Sequence, residues 1–145
     1  MLLTSSEFQN NSAVPPRFTC NGADINPALQ IFGVPPETRS LVLIVDDPDA
    51  PAGVWDHWIV FDIDPSVKTV AENSVPGKEG RNSFNRRTWG GPCPPSGTHR
   101  YFFKLYALDK PSLGLGAGAS REQVERAMAG HILDKAELVG LYRKF

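Results

Sequence analysis

The run Tyr101-Phe102-Phe103-Lys104-Leu105-Tyr106-Ala107-Leu108, entered through Gly97-Thr98-His99-Arg100, decides the fold class of this 145-residue chain. Aromatic residues recur through it, as a strand favours. A period of two places His99 and Tyr101 on one face. Working outward, Leu41-Val42-Leu43-Ile44-Val45 is continuously apolar between turn signals, the pattern of a strand buried on both faces. Trp58 to Ile63 alternates, which predicts His57, Ile59, Phe61 and Ile63 on one face and Trp58, Val60 and Asp62 on the other. Glu137-Leu138-Val139-Gly140-Leu141-Tyr142 reads as a last strand. One helix is marked: Ser120 is an N-cap with Gln123 three residues on, a capping box. Val124, Ala127, Met128 and His131 follow at i, i+3, i+4 and i+7, which makes His131 a structural residue of the apolar stripe. Thirteen prolines and thirteen glycines cut the chain into short elements. With no repeat and no linker, the expectation is a single domain over residues 1–145, mainly β and sandwich-like, with a late helix.

Composition narrows the partners. A net charge of −1 offers no basic field for a nucleic-acid backbone or an anionic membrane. No apolar run approaches the ~20 residues of a membrane span. Met1-Leu2-Leu3-Thr4-Ser5-Ser6-Glu7 lacks the basic and apolar regions of a signal peptide. Two cysteines, Cys20 and Cys93, are too few for a disulfide framework, so the expectation is reduced thiols in a cytoplasmic protein.

The chemistry lies in two loops. Asp47-Pro48-Asp49-Ala50-Pro51 leads to Trp55-Asp56-His57-Trp58, and Gly90-Gly91-Pro92-Cys93-Pro94-Pro95-Ser96-Gly97-Thr98 leads to His99-Arg100-Tyr101. Asp47, Asp49, His57, His99 and Tyr101 all fall at strand ends, so neighbouring strands would gather them at one rim. The prolines stiffen the loops, and Ala50-Pro51 is a candidate cis bond. Gly90, Gly91 and Gly97 allow close approach of a ligand, and their N–H groups can donate to an anion. One carboxylate can accept from a histidine and set its tautomer while the ring faces the ligand. Asp47, Asp49, His57 and His99 match no compact metal motif, and no metal or other cofactor is expected. Cys93 and Ser96 stand near His99 but in no recognised nucleophile signature, so the chain is not expected to be an enzyme. Gly77-Lys78-x-Gly80 is no phosphate loop, because no G-K-[ST] opens a helix.

Asp47-Pro48-Asp49-Ala50-Pro51, Trp55-x-His57 and Gly91-Pro92-x-Pro94-Pro95-x-Gly97-x-His99-Arg100-Tyr101 resemble the phosphatidylethanolamine-binding protein family, and within it the short prokaryotic, Raf-kinase-inhibitor-like branch. Phe18-Thr19-Cys20-Asn21-Gly22, Asn26-Pro27-x-Leu29 and Gly130-His131-Ile132-Leu133 extend the likeness over nearly the whole chain. The resemblance implies a β-sandwich of a large antiparallel sheet and a smaller one, with one or two short helices. It implies a rigid cavity for phosphate or phosphoryl headgroups such as phosphoethanolamine. Asp47, Asp49, Pro51, His57, Pro94, Pro95, His99 and Tyr101 would line that cavity, with a loop glycine, Gly91, adding an N–H. Asp56 stands where eukaryotic members carry a histidine, so kinase inhibition is not carried over from them. The competing reading is a protease or kinase inhibitor acting through surface loops on a protein target; a metal-dependent hydrolase ranks below it. A homodimer is an expectation by analogy with the short branch.

Overall fold

The computed structural model describes residues 1–144. In chain order the strands are β1 (Leu2–Thr4), β2 (Ser12–Ala13), β3 (Leu29–Phe32), β4 (Ser40–Asp47), β5 (Trp55–Ile63), β6 (Thr69–Val70), β7 (Lys78–Glu79), β8 (Thr98–Leu108) and β9 (Ile132–Arg143). A single turn of 3-10 helix spans Pro16–Phe18, and the helix α1 spans Arg121–Met128. The strands form two sheets, ordered β1-β3-β6 and β2-β9-β8-β4-β5-β7. Among the described residues, only the short β2–β9 contact is parallel. The mainly β, two-sheet architecture agrees with the expectation.

The strand β4 explains the layering. All eight of its residues are buried, as its unbroken apolar run requires. Leu41, Leu43 and Val45 point between the sheets, where they meet Leu29, Ile31 and Val70 of the small sheet together with Trp58, Phe103 and Leu105. Val42 and Ile44 point the other way and pack with Ile59, Phe61, Leu113, Val124 and Met128 beneath α1. Burying one such side chain contributes about 1.5–3 kcal/mol, so the central strand is a main source of stability on both sides.

Period-two reasoning succeeds on β8 and β9 and fails twice on β5. Val45 faces Trp58 but Asp46 faces Asp56, leaving His57 as an extra residue, a β-bulge. A second shift separates the pairs Leu41–Ile63 and Leu43–Val60, around Asp62 with its φ of 54°. The bulges correct the predicted faces. Ile59 and Phe61 face the helix, whereas Ile63 joins Trp58 and Val60 in the inter-sheet core.

The capping box is present as expected, with Gln123 N–H donating to Ser120 Oγ at 3.1 Å and Ser120 N–H to Gln123 Oε1 at 2.9 Å. The helix ends at Met128, before His131. That corrects the apolar-stripe assignment: His131 is half-buried outside the helix, its Nδ1 2.8 Å from Asp109 Oδ1. Two further expectations are overturned. No peptide bond among the described residues is cis, so Ala50-Pro51 is trans. Cys20 and Cys93 are joined in a disulfide that closes 73 residues of sequence, and are not reduced thiols. Spacing along the chain carries no sign of a pairing made only when the 3-10 turn meets the proline loop.

Candidate functional site

The last residue of β4 sets the geometry. Asp47 precedes Pro48, and its Oδ1 accepts from Asp49 N–H at 2.8 Å, which tightens the turn out of the strand. Its Oδ2 lies 2.6 Å from His99 Nδ1 on the neighbouring β8. Two residues on, Tyr101 shares the face of His99, as strand alternation dictates. His57 would point to the opposite face but for the bulge, which turns it to this side. Its Nδ1 then lies 2.6 Å from the Gly90 carbonyl.

These side chains enclose a cavity of about 190 Å³, bounded by Asp47, Ala50, Pro51, Trp55, His57, Phe84, Cys93, Pro94, Pro95, His99 and Tyr101. Phe84 is delivered by a loop that Asn82 organises. Asn82 Oδ1 accepts from Phe84 N–H and Arg86 N–H, both at 3.0 Å, while Nδ2 donates to the Thr88 carbonyl at 2.8 Å and the His57 carbonyl at 3.2 Å. The disulfide ties the opposite wall, at Cys93, to Cys20. A larger hollow of about 330 Å³ is bounded by residues including Trp58, Glu79, Arg86 and Trp89. There Glu79 Oε2 is taken by Trp58 Nε1–H at 2.7 Å, and neither signature loop supplies a histidine, so the smaller cavity is the candidate site.

Hydrogen bonding assigns a role to each ring nitrogen. A neutral His57 gives its Nδ1–H to Gly90 O, so Nε2 is the nitrogen left to the cavity, with a lone pair. Burial pushes the His57 pKa below its ordinary value, more than the Gly90 carbonyl and the Asp47 charge raise it. His99 gives Nδ1–H to Asp47, which fixes its tautomer and leaves Nε2 on the cavity side. Tyr101 Oη is buried; the Cys93 backbone approaches it as a donor, and its own O–H proton meets no acceptor among the described residues. Burial first, and then the Asp47 charge, push its pKa well above the ordinary phenol range against the lowering effect of the Cys93 backbone hydrogen bond, so it stays an O–H donor. The cavity therefore holds a carboxylate, two imidazoles with one open nitrogen each, and a hydroxyl with an uncommitted proton.

Asp47, Pro51, His57, Pro94, Pro95, His99 and Tyr101 are brought together as the sequence expects. Asp49 and Gly91 are not. Asp49 turns outward and grips Arg100, accepting from Nε at 2.9 Å, from NH2 at 2.8 Å and from the backbone N–H at 2.9 Å. Those bonds hold its carboxyl down to about 2. Gly91 N–H donates to Asp24 Oδ1 at 2.8 Å and Gly90 N–H to His57 O at 3.1 Å, so neither N–H is offered to the cavity. Gly91 is nonetheless needed where it stands, because a Cβ there would lie 2.4 Å from Phe18 O. Cys93 is spent in the disulfide and Ser96 does not line the cavity, so neither of these two candidate nucleophiles faces the imidazoles. Among the described residues no group of three or more His, Cys, Asp or Glu side chains could hold a metal ion.

Trp55, Phe84, Ala50 and Cys93 are wall residues that the sequence reading did not assign. Trp55 had a signal: it pairs with Asp47 across the ladder and lies two residues before His57. Phe84 had none, since it comes from a loop with no strand period. Among the described residues no helix is long and apolar enough to cross a membrane.

Comparison with known proteins follows the same lines. The family model described as phosphatidylethanolamine-binding protein matches residues 4–143. A UPF0098 protein of Methanothermobacter thermautotrophicus is 48% identical, covering 99% of both chains, and one of Aquifex aeolicus is 47% identical over 99% of this chain and 89% of its own. The crystal structure of a phosphatidylethanolamine-binding protein homolog from Chlamydia trachomatis superimposes with a TM-score of 0.96 at 41% identity, covering 99% of this chain and 97% of that one. Escherichia coli YbcL, described as a member of the mammalian family, superimposes with a TM-score of 0.92 at 28% identity, covering 99% and 98%. None of these relatives is named as an enzyme. With the two loop signatures, the two-sheet fold and the matched family model in agreement, the chain belongs to the phosphatidylethanolamine-binding protein family.

Proposed function

We propose that this protein binds a small phosphoryl anion, a phosphate or a phosphomonoester headgroup, in the Asp47–His57–His99–Tyr101 cavity, and that it binds rather than transforms it. The observation that carries this reading is the buried Tyr101 hydroxyl, whose proton has no acceptor among the described residues and which shares a cavity with two imidazoles, each held at Nδ1. A buried hydroxyl proton without an acceptor costs free energy, and a ligand oxygen relieves that cost. The size fits a headgroup and not acyl chains: drug-sized ligands need roughly 300–1,000 Å³, and this cavity offers about 190 Å³.

Charge dictates how the anion arrives. Asp47 contributes one negative charge, and a neutral His57 meets the ligand with a lone pair, so a fully deprotonated anion is repelled. Binding therefore needs a proton, either carried in as a P–OH that donates to His57 Nε2 or taken up by the ring itself. The sign follows. A phosphomonoester's second pKa is about 6, and His57 titrates below its ordinary 6.5. Affinity is expected to rise as pH falls from about 8 to about 6, by up to roughly tenfold per unit where one proton is taken up.

Titrating phosphorylethanolamine into the wild type and His99→Ala, with histidine-detected NMR, tests the reading. His99→Ala removes the cavity-facing Nε2, a hydrogen-bond partner of a charged ligand, and a roughly ten- to hundredfold weaker Kd is expected. Equal binding by both proteins, or shifts confined to residues far from His57, His99 and Tyr101, overturns it.

A further inference from the structure

We infer that Arg121, on the opposite face of the large sheet from the cavity, is a positioning residue that locks the β5 bulge and so aims His57 at the ligand. Arg121 NH1 donates to Asp46 Oδ2 at 2.7 Å and to Asp56 Oδ1 at 2.6 Å. Those two carboxylates are the cross-strand pair at which the register slips. In an unslipped ladder Asp46 would oppose His57, and Asp56 would turn toward the cavity side, away from Arg121. The clamp exists only in the bulged register.

Several features point to this role beyond generic charge pairing. Asp46 is fully buried, its Oδ1 has no partner, and its Oδ2 is served only by Arg121 and by Lys104 Nζ at 2.9 Å. An uncompensated carboxylate at such depth is costly, so Lys104 and Arg121 are held on Asp46, and only the bulged register brings Asp56 to that anchored guanidinium. Arg121 also stands in the first turn of α1, where the helix macrodipole disfavours a cation. Its placement there is explained by the two aspartates in front of it. Burial weakens the Arg121 charge, but the hydrogen bonds to Asp56 and Asp46 outweigh that and push its pKa further up. On the other side of the bulge the backbone is held by the 82–90 loop, through Asp56 N–H to Ser83 Oγ at 2.8 Å and Asn82 Nδ2 to His57 O at 3.2 Å. The loop holds the bulge backbone, whereas Arg121 penalises the alternative register.

The consequence for affinity rests on the anion-binding reading, but the positioning does not, so the test reads both. In ligand-free wild type, NMR of the His57 ring should show the Nδ1–H tautomer hydrogen-bonded to Gly90. Arg121→Met, which keeps the apolar stem, should lose that signature and give mixed tautomers. Its phosphate Kd should weaken about tenfold, the loss of one aligned hydrogen bond. Arg121→Lys should restore part of the signature. Arg126→Met, on the same helix but paired only with exposed Glu122, should change nothing. A folded Arg121→Met protein with the wild-type His57 signature overturns the inference. Loss of the signature with unchanged phosphate affinity leaves the positioning standing and sinks the anion-binding reading instead. Should Arg121→Met fail to fold, Asp56→Asn reports the same signature, because Arg121 keeps its bonds to Asp46 and Glu125.

Discussion

Asp46 and Asp47 are neighbours on β4 that project to opposite faces of one sheet, and their surroundings differ in kind. Asp46 faces two permanent cations, Lys104 and Arg121, in a cluster closed further by Asp56 and Glu125. Asp47 faces imidazole, phenol and apolar walls, with no lysine or arginine among the described residues that line the cavity. The first carboxylate has its charge met by the protein itself. The second is met by the Nδ1–H of a histidine whose other ring nitrogen is left on the cavity side. On the proposals made above, one face of the strand end fixes register and the other meets a ligand.

The comparison can be broken most severely on the cluster side. Asp46→Ala leaves Lys104 and Arg121 facing each other around a hole, and breaking a buried pair costs about 3–5 kcal/mol. Asp47→Ala strands one buried ring N–H and should cost about 1–3 kcal/mol, while abolishing the His99 Nδ1–Asp47 signal in the NMR spectrum. Urea denaturation of both variants checks the order. If Asp47→Ala proved the more destabilising, the division into a register face and a ligand face would fail.

A reductant sharpens the contrast by acting on the cavity side alone. Both cysteines are exposed, and the bridge spans 73 residues. For a loop of that length the chain-entropy estimate is about 4 kcal/mol, with about 2–4 kcal/mol typical in practice. Cys20→Ser with Cys93→Ser, or treatment with a dithiol, should lower Tm accordingly and broaden the resonances of Pro94, Pro95 and His99 before those of Lys104 and Arg121. Uniform broadening of both faces would show that the bridge supports the whole sandwich and not the cavity wall.

The smallest effect belongs to Asp49. Its pair with Arg100 is solvent-facing, with Arg100 half exposed, so Asp49→Asn should cost only about 0.2–1 kcal/mol. The folded carboxyl lies at about 2 against an ordinary 3.8, so this contribution is present above pH 3.8 and lost as pH falls toward 2. Acid titration of the variant should therefore lack a small step that the wild type shows in that window. Phosphate affinity should be unchanged, because Asp49 lies outside the cavity.

Residues on regular strands were read correctly because a pleated strand has one dominant period. His99 and Tyr101 share a face for that reason, and the all-buried β4 follows from its unbroken apolar run. The turn chemistry of Asp47-Pro48 and the Ser120 capping box are equally local, since each bond spans two or three residues. Asp49 and Gly91 were misassigned because their partners, Arg100 and Asp24, lie far off in sequence. Phe84 was missed because it reaches the cavity from a loop that Asn82 folds, and no pattern of apolar spacing marks it.

By itself the sequence determined the mainly β class, the central strands, the capped helix and the two proline-stiffened loops that carry the candidate cavity. All of these follow from propensity, period and turn chemistry acting within a few residues. Tertiary structure decided which way His57 points, that Ile63 joins the inter-sheet core, that Cys20 meets Cys93, and that Gly90 and Gly91 spend their N–H groups internally. Each depends on a partner brought from far along the chain. The bulge is the clearest case: an extra residue in β5 has meaning only against Asp46 across the ladder, and its cost is met where Arg121 reaches both strands at once.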